Sequence, residues 1–147
     1  MGQKVNPHGM RVGVIKDWDS RWYARDEKVG DLIVEDYKIR QYLKKTLYSA
    51  GIPNIEIERD SAKVRIYIHC SRPGVVIGKG GAEIESIRLS VEKMIGKPVA
   101  LSIVEVRTPD TNAQLVAENI AAQLEKRISF RRAMKQAIRN AMQPRDR

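Results

Sequence analysis

Apolar residues recur along this chain with two different periods, and the switches between them mark its elements. From residue 30 to residue 48 the spacing is helical: Ile39, Tyr42, Leu43 and Leu47 share one stripe, while Lys38, Lys44 and Lys45 stay polar. Gly51 and Pro53 supply the stop, because glycine tolerates a left-handed cap and proline cannot continue a helix. The period then falls to two. Ile55 and Ile57 alternate with Glu56 and Glu58; beyond a polar break at Asp60–Ser61, Val64, Ile66 and Ile68 alternate with Lys63, Arg65, Tyr67 and His69. This predicts an antiparallel hairpin with one buried face.

Helical spacing returns at Ile84, Ile87, Val91, Met94 and Ile95, and Gly96 with Pro98 ends that helix. Val99, Leu101 and Ile103 alternate as a third strand, and Thr108-Pro109-Asp110 breaks the chain. Thr111 and Gln114 form a capping-box pattern ahead of a helix carrying Val116, Ile120, Leu124 and Ile128. Phe130, Met134, Ile138 and Ala141 continue an apolar stripe on a last helix, with Ser129 as its N-cap and Pro144 as its stop. Residues 1–28 show no sustained period and read as an extended arm. Its Trp18, Trp22 and Tyr23 are expected to pin the arm to its own domain rather than stack on bases. The sum is an α+β fold, a three-stranded sheet backed by helices, with an N-terminal arm (1–28), a central domain (29–107) and a helical extension (108–147).

Charge changes this picture. Lys and Arg total 27 against 18 acids, a net charge of +9, which favours polyanionic partners, nucleic acid foremost. Eight of those cations and one acid lie between Lys126 and Arg147, so most of the excess sits in the last 22 residues. At 100° per residue, Arg131, Lys135, Arg139 and Arg132 fall within an arc of about 100° on the last helix, away from the apolar stripe. Such a face can track a phosphate backbone. Cys70 is the only cysteine, which fits a reducing compartment. No run reaches the roughly 18 apolar residues of a membrane span, and MGQKVNPHGMRVG lacks the apolar core of a signal peptide. The expectation is a cytoplasmic protein, an organelle matrix being the other compartment compatible with these signals, with no membrane partner.

The chemistry concentrates in RPGVVIGKGGAEI, residues 72–84. It is no P-loop: Gly74 and Gly78 stand one residue too close, and Gly80 occupies the position of the magnesium-binding Ser or Thr. Nor is it a dinucleotide fingerprint, since Glu83 stands where the last glycine belongs. What fits is GxxG, Gly78-Lys79-Gly80-Gly81, flanked by Val76-Ile77 and an amphipathic helix. Missing β-carbons admit a sugar-phosphate backbone, Lys79 adds a mobile cation, and the apolar flank forms a wall for bases, which is how a KH domain clamps about four nucleotides.

The three stretches MGQKVNPHGMRVG, RPGVVIGKGGAEI and RRAMKQAIRNAMQ together resemble the family of the bacterial small-subunit ribosomal protein number three, over residues 1 to about 143. The resemblance implies a type II KH domain, with two helices between Val75 and Ile95 meeting at the GxxG turn, where periodicity shows only one. It implies contacts with small-subunit (16S) ribosomal RNA and with neighbouring proteins of the subunit head. It also implies a place at the channel where messenger RNA enters, through a basic cluster matching Arg131, Arg132 and Lys135. Members of that family continue into a second α/β domain, which this sequence does not contain, so the contacts of that domain are not carried over. The RNA-binding set expected here is Arg72, Gly78, Lys79, Gly80, Gly81, Arg127, Arg131, Arg132, Lys135 and Arg139.

Two other classes compete. A free-standing KH regulator would bind short single strands through the GxxG loop alone. An enzyme would need a constellation the chain lacks: adjacent His69 and Cys70 point to opposite faces of a strand, and His8 adds no metal spacing. Glu56 and Glu58 fall on the polar face of a strand without a neighbouring nucleophile, and neither GxSxG nor HExxH occurs. Tyr67 and His69 share that polar face and are expected to be solvated or hydrogen-bonded there. No catalytic role, metal or cofactor is expected.

Overall fold

The computed structural model describes residues 2–143; Pro144, expected to stop the last helix, lies outside the described residues. In chain order the elements are α1 (Pro7–Arg11), β1 (Ser20–Arg21), α2 (Asp26–Thr46), β2 (Asn54–Arg59), β3 (Val64–Cys70), α3 (Pro73–Ile77), α4 (Ala82–Ile95), β4 (Val99–Glu105), α5 (Ala113–Glu125) and α6 (Phe130–Met142). The strands form one sheet in the order β1-β2-β3-β4. β2 and β3 are the expected antiparallel hairpin, with Ile55 opposite Ile68 and Ile57 opposite Ile66. β4 runs parallel to β3, setting Leu101 beside Ile66 and Ile103 beside Ile68.

This register puts the alternating isoleucines on one face, where Ile39, Leu43 and Leu47 of α2 and Ile87 and Val91 of α4 cover them. Ile57, Ile66 and Ile68 are completely buried, and each contributes about 1.5–3 kcal/mol relative to exposure. Helices α3 and α4 meet at the glycine turn, as the resemblance implies.

The arm departs from expectation. It is not simply extended: Asn6 caps the short α1 by accepting from the His8 amide at 2.9 Å, and β1 adds a fourth strand parallel to β2. Two residues are too short to show a period, so tertiary contacts alone make this strand. The Ile57 amide donates to the Asp19 carbonyl at 2.9 Å. Arg40 donates to that same carbonyl and to Ser20 Oγ, both at 2.9 Å. At the centre lies Asp36, the one buried charged residue among those described, 2 % exposed. Its carboxylate accepts from Ser20 Oγ (2.9 Å), Trp22 Nε1 (2.8 Å) and Arg59 Nε (2.8 Å). Arg59, whose side chain is 6 % exposed, also meets it through Nη2 at 2.6 Å and reaches Glu35 at 2.9 Å. The pinning reading therefore holds for Trp22, whereas Trp18 and Tyr23 stand exposed.

Other boundaries move as well. α2 starts at Asp26 and runs through Gly30, since an interior glycine weakens a helix by only about 1 kcal/mol. Asn112, not Thr111, caps α5, accepting from the Gln114 and Leu115 amides at 3.1 and 3.3 Å, while the Thr111 hydroxyl donates back to the Thr108 carbonyl. α5 ends before Ile128 in a left-handed turn at Arg127. Ser129 precedes α6 without a side-chain cap. The expected α6 stripe is largely exposed: Phe130, Met134 and Ile138 face out, and small Ala133 is the buried contact. Alanines let α6 lie close to its neighbours, which leaves the larger side chains outside.

The extension is tied to the sheet domain by Lys44, which donates to Glu118 Oε1 at 2.6 Å and to the Ile52 carbonyl. Burial by itself would raise the Glu118 carboxyl, but hydrogen bonds from Gln114 and Lys44, with the Lys44 charge, outweigh it and hold the carboxyl below its ordinary value. A carboxyl lowered in the folded state stabilises fully above the unfolded value, about 4.3 for Glu. That contribution is lost as pH falls from there through the folded value. Below about pH 4.3 the melting temperature of Glu118→Gln, followed by circular dichroism, is expected to fall less steeply than that of the parent chain. For the arm, Asp36→Ala removes the closer of the two carboxylates that Arg59 meets and the acceptor of Ser20 and Trp22, and urea unfolding is expected to show a loss of about 3–5 kcal/mol. Tyr23→Ala, at an exposed site, is expected to change stability by less than about 0.5 kcal/mol.

Candidate nucleic-acid interface

The glycine turn is built by a backbone that side chains resist. Gly78 has φ 70° and ψ −174°, a region essentially confined to glycine. A β-carbon there would lie 2.7 Å from Glu83 Cβ and closer still to its Cγ. Gly80 and Gly81 also have positive φ, 64° and 82°, but a β-carbon on either would meet nothing within 4 Å. Gly78 is therefore glycine because of the fold, while Gly80 and Gly81 present bare backbone to open space. Lys79 projects from the same turn, exposed. Beside it Val76 is buried, whereas Val75 and Ile77 remain 42 % exposed and line the approach. Arg72 precedes α3 and makes one long contact, Nη1 to the Ser49 carbonyl at 3.4 Å, leaving it otherwise exposed.

The α4 N-terminus is not an empty anion site, because Glu83 and Glu85 occupy its first turn, where carboxylates complement the helix dipole. Glu85 is held below its ordinary value by the hydrogen bond from Arg88, and Arg88 also reaches Glu92 at 2.6 Å. That arginine is committed within its own helix, so the cation left at this turn is Lys79.

The outer sheet face is likewise occupied by its own ion pairs. Tyr67 donates to Glu58 at 3.2 Å, His69 lies 3.2 Å from Glu56, and Arg21 pairs with Asp17 and Glu56. These contacts account for both carboxylates on the strand. Cys70 lies on the other face, and burial pushes its thiol up, away from the nucleophilic thiolate. Among the described residues no three His, Cys, Asp or Glu side chains could hold a metal ion, and no helix is long and apolar enough to cross a membrane.

A second group lies on the extension. Arg131, Arg132, Lys135 and Arg139 are all exposed on α6, and among the described residues none is in an ion pair. The Arg131 guanidinium lies 5.7 Å from the centre of the Phe130 ring. Arg127 sits at the α5–α6 corner with φ 60°, the one positive-φ residue other than glycine among those described. Its amide donates to the Leu124 carbonyl at 2.8 Å and the Ile128 amide to the Gln123 carbonyl at 3.1 Å, the pairing that closes a helix over a left-handed residue. The structure thus sorts the candidates into a turn set (Arg72, Gly78, Lys79, Gly80, Gly81) and a corner-and-helix set (Arg127, Arg131, Arg132, Lys135, Arg139), without a described polar contact joining them. Outside the expected set, the arm cations Lys4, Arg11 and Lys16 are also exposed. Their signal is the absence of any acid before Asp17.

A family model described as KH domain matches residues 38–111, half of the chain, and the chain belongs to that family. Strands β2, β3 and β4 with α2, α3 and α4 are its type II arrangement, to which the arm adds β1 and the extension adds α5 and α6. Within that class its relatives include chains named Small ribosomal subunit protein uS3. The chain is 62% identical over 143 residues to that of Clostridioides difficile, 57% over 142 to that of Desulforamulus reducens and 62% over 142 to that of Agathobacter rectalis. Each match covers 97% of this chain and, in turn, 53%, 64% and 65% of the relative, so the chain spans between half and two thirds of their length.

Arg127 offers a direct test of the corner. Arg127→Gly removes a charge together with the left-handed penalty on a side chain. Thermal unfolding is expected to show a gain of about 1 kcal/mol, while affinity for single-stranded RNA falls in a filter-binding assay.

Proposed function

We propose that this chain is a structural, non-catalytic constituent of the small ribosomal subunit. In this reading it binds subunit RNA through the glycine turn, the Arg127 corner and the α6 cations. Arg131, Arg132 and Lys135 additionally contact messenger RNA where it enters. Residues 1–28 act as an arm, 29–107 as the RNA-binding unit and 108–147 as a basic extension. Its partners are ribosomal RNA, messenger RNA and proteins of the subunit head, and its location is the ribosome in the cytoplasm.

The observation that carries the reading is the contrast between engaged and available charge. Arg21, Arg59 and Arg88 are paired with carboxylates of the fold, while the exposed α6 arc has no ion-pair partner among the described residues. The identity of about 60% with chains named for the small subunit, extending through α6, supports the same assignment.

A free-standing KH regulator would concentrate binding in the turn, whereas a ribosomal constituent spreads it over many cations. The chain is expected to co-sediment with small-subunit particles at moderate salt, and Lys79→Asp with Gly80→Asp is expected to leave that association detectable. Absence of the parent chain from the particles overturns the proposal. In direct RNA titrations, Arg131→Glu with Lys135→Glu is expected to flatten the dependence of log K on log salt by about 0.7 per lost phosphate contact.

A further inference from the structure

We propose that the cleft between the α5–α6 pair and the sheet domain is a base pocket, taking an adenine from a nucleotide whose phosphate lies on the α6 cations. This base preference rests on the RNA-binding reading above and names the side chains that set it.

The cleft, about 480 Å³, lies where α5 and α6 meet the turn after α2 and the residues preceding α3, and its size is that of a small-ligand site. Leu115 and Ala137 give it apolar surface, and Gln136 and Asn140 of α6 give it two amides. Both amides are exposed, and neither makes a hydrogen bond among the described residues. The amides on α5 are already used: Gln123 Nε2 donates to Asn119 at 2.9 Å, and Gln114 Nε2 to Glu118 at 2.8 Å. On α6 each free amide follows a cation, Lys135 before Gln136 and Arg139 before Asn140. At 100° per residue the two amides fall between the cation arc and buried Ala133. A strand whose phosphates follow the arc therefore passes the mouth of the cleft.

Charge decides which part of a nucleotide enters. Glu118 and Asp110 line the cleft, and carboxylates there disfavour phosphate inside it, whereas a neutral base meets no such penalty. The phosphate stays outside on Lys135 and Arg139. The free amides then select among bases. Each presents a donor and an acceptor side by side, the pattern that matches N7 and N6 of adenine, whereas guanine shows two acceptors along the same edge. Across the cleft, the Arg72 guanidinium makes one long contact, 3.4 Å to the Ser49 carbonyl, and supplies a plane on which a base stacks. A purine covers more of that plane than a pyrimidine does.

The test titrates the full chain with an all-uridine RNA decamer and with decamers carrying one central adenine, guanine or cytosine. The adenine decamer is expected to bind about tenfold tighter than the others, a ratio that persists between about 0.05 and 0.2 M salt while every affinity falls. Gln136→Leu with Asn140→Leu is expected to abolish the preference. Gln136→Glu with Asn140→Asp is expected to do the same, because it keeps the shape and removes the donor for N7. Tyr23→Ala leaves the preference as in the parent chain. Adenosine monophosphate in excess separates two sources of the ligand. Loss of the preference identifies a cleft that takes the free nucleotide, retention identifies one filled only by a base on a strand, and both uphold the base pocket. Equal affinity for the four decamers, or a preference that survives both pairs of substitutions, overturns the proposal. Failure of every decamer to bind overturns the RNA-binding reading with it, so the two failures are distinguishable.

Discussion

The arrangement of the N-terminal half depends on one buried ion pair. Asp36 and Arg59 face each other where α2 crosses the sheet, with side chains only 3 and 6 % exposed. A charge in that position must be surrounded by hydrogen-bonding partners, and the partners come from the arm: Ser20 and Trp22 donate to the same carboxylate. The arm is therefore part of the solvation of Asp36. Its two-residue strand, poor in any intrinsic preference, forms because the Asp19 carbonyl accepts from Arg40 and from the Ile57 amide. A hydrophobic pair in place of Asp36 and Arg59 would fill the volume but remove the carboxylate to which Ser20 and Trp22 donate.

The same distinction between committed and available polar groups organises the rest of the surface. On the outer sheet face and along α4, acids and bases satisfy one another. At the glycine turn and on α6 they do not among the described residues, and there the chain offers backbone, one lysine and a row of guanidinium and ammonium groups. Net charge alone does not locate these places. The 18 acids are distributed so that much of the basic excess is neutralised locally within the sheet domain and left exposed on the extension.

How much of this could be read from the sequence follows from the kind of signal involved. The hairpin and α4 were legible because their apolar residues repeat over several turns or strand positions, and Gly51, Gly96 and Pro98 mark their ends. The turn between α3 and α4 was legible as a motif, but α3 itself, five residues long, left no period and came only from family resemblance. β1 and the Asp36 cluster were not legible, because partners 14 to 23 residues apart carry no local pattern. The α6 stripe misled for a related reason: periodicity shows that a face is apolar, not that anything covers it. The candidate cations were all placed on the surface as expected, while the left-handed backbone of Arg127 had no sequence signal, since arginine is an unusual residue there.

The bare apolar row on α6 bears on how the isolated chain behaves as a colloid. Phe130, Met134 and Ile138 are attractive surfaces, and the guanidinium and ammonium groups beside them keep molecules apart through a repulsion that reaches only about 10 Å at 0.1 M ionic strength. Added electrolyte shortens that reach without weakening the attraction. The ionic conditions that screen these cations are thus the ones under which neighbouring molecules begin to cluster, and dilute buffer keeps them dispersed.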